Sequence, residues 1–177
     1  MWMNNFKIIF VSMILFSHII TTSANDWEKV NDAKKRGLPK TAIEELKPII
    51  KSALKNKRYA EAIKAIASKI DLEGVVEGHK VEEKIKRLKS VLKEVPEEIK
   101  PVLKAILANW TWQYFQHNRW RISQRTQIEK APSEDITTWS LPRVLSEIDQ
   151  TFKEALANDK ALKDIPIETY HDLLKKG

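Results

Sequence analysis

The residues best equipped for chemistry are crowded between Asn109 and Trp139, where N-W-T-W-Q-Y-F-Q-H-N-R-W-R-I-S-Q-R-T leads on to D-I-T-T-W-S-L-P-R. Four of the six tryptophans lie in this stretch, together with Arg119, Arg121 and Arg125. Guanidinium groups grip carboxylates through a planar fork, and indole rings gain most when packed. Such a mixture builds either a recognition surface or a packing corner. In the first reading, Trp120, Arg121 and Arg125 form an exposed patch that binds a partner or stacks on nucleic acid bases. In the second, Trp110, Tyr114 and Phe115 fill the core while Trp120 and Trp139 pin down the loop that follows. Asp135 then pairs with Arg119, Arg121 or Arg125, and Asn118 sits in the same segment. The packing corner is preferred, because ordering a loop of this length takes many contacts.

Catalytic chemistry finds little to work with, and no catalytic residue is assigned. His18, His79, His117 and His171 are widely separated in sequence. None forms an i, i+4 pair, no H-E-x-x-H occurs, and the four glycines make no phosphate loop. His117, near Arg119, lacks an evident acid partner and is read as structural. Glu44-Glu45, Glu82-Glu83 and Glu97-Glu98 are adjacent pairs, which point in different directions on a helix, so no metal site and no cofactor is expected. Asn109-Trp110-Thr111 matches a glycosylation pattern inside a helix and is read as a chance match.

The elements that position these residues are helical. Ile43, Leu46, Ile50 and Leu54 form one stripe; Tyr59, Ala62, Ile63, Ile66 and Ile70 a second; Val81, Ile85, Leu88 and Leu92 a third. Ile99, Leu103, Ile106, Trp110 and Tyr114 follow, then Leu141, Leu145, Ile148, Phe152 and Leu156. No segment alternates with the period of a strand. Gly37-Leu38-Pro39 separates a short first helix, capped by Asn25 or Asp26, from the second, and Asn56 marks the next turn. Gly74 and Gly78 bracket the loop to helix four, Pro96 opens helix five, and Ser140 caps helix six. Pro48 and Pro101 should bend their helices. The longest piece without structure is expected at about Gln124 to Thr138. The fold class is all-α: an irregular stack of about six or seven helices in antiparallel hairpins, loosely tetratricopeptide-like.

The N-terminus reads as an export signal. Lys7 precedes an apolar stretch from Ile8 to Ile20, and Thr22-Ser23-Ala24 supplies small residues for cleavage before Asn25. The expected organisation is a signal peptide over 1–24 and a helical-hairpin domain over 25–177, in the periplasm or secreted. The stretch is shorter than the ~20 residues of a spanning helix, so membrane contact is expected only through that segment. With no cysteine, disulfides, thiolate metal sites and a lipid-anchored N-terminus are excluded. A domain of this size still buries roughly 68–70% of its unfolded surface. The net charge of +7 is spread along every helix among Glu and Asp, which favours a solvated exterior over a nucleic acid partner.

W-Q-Y-F-Q-H-N-R-W-R, S-Q-R-T and D-I-T-T-W-S-L, with Trp27 and K-R-G-L-P-K-T-A-I-E-E-L before them, resemble the N-terminal helical region of bacterial alpha-2-macroglobulin-like proteins. The resemblance covers roughly residues 27 to 150. It implies an exported part of a protease inhibitor. The macroglobulin domains and the Cys-x-Glu-Gln thioester of that family are missing here, so the implied role is structural or interactive rather than that of the trap. The implied partner is a protein: downstream macroglobulin domains, lost from a truncated or split reading frame. The alternative is a free-standing periplasmic helical-repeat adaptor that binds an envelope protein.

Overall fold

A computed structural model describes residues 25–78, 80–125, 133–157, 159–163, 166–168 and 170. The leader assigned to 1–24, with His18, and also His79 and His171, lie outside the described residues. Among those residues the chain is all-helical, without strands. Helix α1 covers 25–35, α2 Pro39–Lys55, α3 Tyr59–Val76 and α4 Val81–Glu94. A 3₁₀ turn at Glu97–Ile99 leads into α5, Lys100–Ser123; a second, Ile136–Thr138, precedes α6, Leu141–Leu156, and the short α7, Asp159–Lys163.

The turns follow from backbone chemistry. After α1, the Gly37 N–H bonds to Lys34 O and the Leu38 N–H to Ala33 O, with Gly37 at φ 67°. This is the helix ending that satisfies two orphan carbonyls and needs a left-handed residue. The same bonds recur after α2, from Lys57 to Leu54 O and Arg58 to Ala53 O, but the left-handed residue there is Lys57, at φ 56°. A side chain in that conformation costs about 1–2 kcal/mol. Lys57→Gly is therefore expected to stabilise the protein by about 1 kcal/mol after the greater freedom of glycine in the unfolded chain is offset. Thermal unfolding checks it; an unchanged or lower Tm contradicts it.

Two predicted boundaries shift. Gly74 lies inside α3 rather than in a loop, where an added Cβ would sit 2.7 Å from Lys84 Cε, so its bareness lets α4 approach. Pro96 precedes the 3₁₀ turn, and it is Pro101 that falls in the first turn of α5, where its missing N–H would have had no helical partner. Pro48 is interior to α2, and Ser140 occupies the cap position of α6 without a side-chain cap bond.

Packing gives two buried clusters. The larger joins Ile63, Ile66 and Ile70 of α3, Ile85 and Leu88 of α4, Leu103, Leu107, Tyr114, Phe115 and Ile122 of α5, Ile136, Trp139, and Val144 and Ile148 of α6. The smaller joins Val30 and Ala33 of α1 to Ala42, Ile43, Leu46 and Ile49 of α2 and Ala65 and Leu72 of α3. Trp27 fastens α1 to α3: its indole N–H donates to Glu61 Oε1 at 2.9 Å, and Lys64 Nζ lies 4.7 Å from the ring centroid. An ion pair joins α3 and α4, where Arg87 Nη1 meets Glu73 Oε2 at 2.8 Å, and within α3 Lys69 Nζ meets Glu73 Oε1 at 2.6 Å.

Glu73 gives the fold an acid sensitivity. Burial pushes its carboxyl up, but the bonds from Lys69 and Arg87 outweigh that and hold it below the ordinary glutamate range. A carboxyl depressed on folding contributes stability above its unfolded pKa and loses it as pH falls through the folded value. Urea midpoints should therefore decline below a pH of about 4.5, and Glu73→Gln should flatten that decline while lowering stability at neutral pH. An unaltered acid limb in the variant contradicts this account.

Candidate functional site

α5 carries most of the Arg-aromatic segment, and its 3.6-residue period sorts the rings. Tyr114 is buried at 2% exposure and Phe115 at 7%, with Ile122 below them, whereas Trp110 is half-buried against the larger cluster. Trp120 is two residues from Ile122, about 200° around the helix, and so faces away from the core. It is 79% exposed. Trp120 therefore does not pin the loop, contrary to the packing-corner expectation. Trp112 is 42% exposed, its ring 5.4 Å from that of Phe115.

The corner itself is built on Trp139, which is 4% exposed. Its indole N–H donates to Ser133 O at 2.7 Å, and its own carbonyl accepts from Arg125 Nη1 at 2.8 Å. Lys89 Nζ and Arg143 Cζ lie 4.8 and 4.7 Å from the ring centroid, at cation–π distance. Lys89 also pairs with Glu147 of α6, so the ring, α4 and α6 are held together.

Asp135 does not take an arginine. Its Oδ1 accepts from Thr137 Oγ1 at 2.7 Å and from the Thr137 N–H at 2.9 Å, capping the 3₁₀ turn. These two bonds keep its carboxyl below the usual aspartate range. A partner two residues away orders fewer side-chain torsions than a distant guanidinium would. The arginines bond elsewhere: Arg125 to Trp139 O, and Arg121 Nη2 to Asn118 Oδ1 at 2.8 Å and, weakly, to the Tyr114 hydroxyl at 3.5 Å. Asn118 Nδ2 in turn donates to Tyr114 O at 2.8 Å. Arg119 is exposed, with no ion-pair partner among the described residues. His117 is also exposed, its Nδ1 2.7 Å from Gln113 O. Asn109 is exposed, while Thr111 is buried and donates to Leu107 O at 2.8 Å.

Another surface was not legible as such. The sequence spacing sets Leu141, Leu145, Ile148, Phe152 and Leu156 in one helical stripe, yet α6 turns Val144, Ile148, Thr151 and Ala155 inward. Leu145 at 41%, Phe152 at 40% and Leu156 at 64% remain exposed. The small Thr151 and Ala155 occupy the buried face in place of the longer side chains. Their size was the signal available in the sequence.

An open cleft lies among Lys40, Glu44 and Lys47 of α2, Glu73, Val76 and Glu77 of α3, and Arg87 of α4. Its charges mostly satisfy one another, Lys47 with Glu44 and Arg87 with Glu73 and Glu77. Among the described residues no three His, Asp or Glu side chains gather as a metal site, and no helix is long and apolar enough to cross a membrane. No family model, curated protein or solved structure matches the chain.

Proposed function

We propose that this protein is an exported, non-enzymatic helical module whose task is to dock a protein partner through α6. The carrying observation is the apolar stripe Leu145, Phe152 and Leu156, left partly in solvent along the flank of the packed face formed by Val144, Ile148, Thr151 and Ala155. Burying a wholly exposed side chain of this kind is worth about 1.5–3 kcal/mol, and a partner gains the part of it that corresponds to the surface still open on Leu145, Phe152 and Leu156. Exposed apolar side chains aligned on one face mark contact surfaces more often than isolated ones do.

The partner is proposed from the sequence resemblance: the module would sit with the body of an alpha-2-macroglobulin-like protease inhibitor and serve as a structural part of it. Its helices are taken to stack as antiparallel hairpins, loosely like tetratricopeptide units, a reading supported by the short turns at Gly37-Leu38 and Asn56-Arg58. The leader pattern of residues 1–24 supports a periplasmic or extracellular location.

An antibody against residues 25–177, applied to fractionated cells, tests this reading. An exported band far above 20.5 kDa supports membership in a larger inhibitor. A band near that mass in the periplasm removes the inhibitor body and leaves a free-standing adaptor. A product confined to the cytoplasm overturns export and with it the proposal.

A further inference from the structure

Helix α5 has an electrostatic peculiarity: from Lys100 to Ser123 it contains no Asp or Glu, in a chain with 24 acidic residues. Its lysines are already engaged, Lys100 with Glu97 and Lys104 with Glu154, and Arg121 bonds within its own helix. What remains outward is Trp120, 79% exposed, with Arg119 beside it, unpaired among the described residues, and the exposed Trp112, Gln116 and His117 on the same helix.

We infer that this face of α5 binds an acidic segment of a protein partner, in which a carboxylate takes the Arg119 fork and a neighbouring apolar side chain covers Trp120. Charge complementarity selects the occupant. A guanidinium in the open matches a carboxylate bidentately, and no carboxylate on the helix competes for it or repels an incoming one. Trp and Arg are among the residue types most enriched where binding energy concentrates. A nucleic acid fits less well. Its affinity comes from many phosphate contacts, commonly about 6–10, and this face offers one unengaged arginine. The α5 face stands independently of α6, and its test leaves Leu145, Phe152 and Leu156 unchanged.

The test is a fluorescence titration of the purified protein with paired synthetic peptides. One set alternates Glu with Leu, a matched set alternates Gln with Leu, and a single-stranded deoxyoligonucleotide is added as a third probe. The Glu peptide should saturate, the Gln peptide should bind about tenfold more weakly or worse, and Arg119→Met should lose a comparable factor with Tm unchanged. Trp120→Ala, followed by calorimetry because the reporter is lost, should weaken binding similarly, and Arg119→Lys should rescue only in part because it lacks the fork. Equal affinity for the Gln peptide, no saturation by the Glu peptide, tighter binding of the oligonucleotide, or full affinity in both variants would each overturn the inference.

Discussion

Replacing Trp139 by alanine should cost about 3–5 kcal/mol and lower the Tm by roughly 10 °C, the largest loss expected from any single tryptophan in this chain. The ring is almost wholly buried, and its removal leaves a cavity in the larger cluster. It also strips Ser133 O of its donor and leaves Lys89 and Arg143 without the ring they approach. Trp120→Ala provides the contrast: a side chain that touches little should change stability by no more than about 0.5 kcal/mol. The pair of measurements separates the corner from the surface within one motif. Equal losses in the two variants would mean that the division of the motif into a packed and a presented half is wrong.

Leu46→Ala should cost about 2–5 kcal/mol, because Leu46 is fully buried in the smaller cluster with Val30, Ala33, Ile43 and Ile49, and its removal leaves a cavity there. Its second consequence concerns architecture. Leu46 and Trp139 belong to different clusters, so their losses should add within about 0.3–0.5 kcal/mol in the double variant. Urea unfolding of the two single variants and the double variant measures the difference. A coupling well beyond that range would join the two clusters into one core.

Helical periodicity made the class and most inward residues readable in advance: Ile43, Leu46, Ile63, Ile66, Ile70, Ile85, Leu88 and Leu103 are buried where the spacing put them. Gly37 and Gly78, both at positive φ, were legible because glycine is the usual residue for that conformation. Lys57 was not, since nothing about a lysine announces a left-handed turn. Two kinds of information were out of reach. The rotation of α6 about its own axis is set by its packing against other helices, which periodicity does not encode, so the stripe gave no sign that Leu145, Phe152 and Leu156 stay exposed. The partners of Asp135 and of the arginines depended on competition between a local bond and a distant ion pair, and the local bonds won. Trp120 shows the same limit: its type argued for burial, and its position two residues from Ile122 decided against it.

Site-specific photocrosslinking in the native cell tests the docking role of α6 most directly. A benzophenone amino acid placed at Phe152 or at Leu156 should give discrete crosslinks to a protein segment outside residues 25–177, whether in the same polypeptide or in another. The same probe at Lys51, exposed on α2, should give none. Crosslinking from Phe152 and Leu156 no stronger than from Lys51 would show that the exposed stripe contacts nothing, and the docking role would fall.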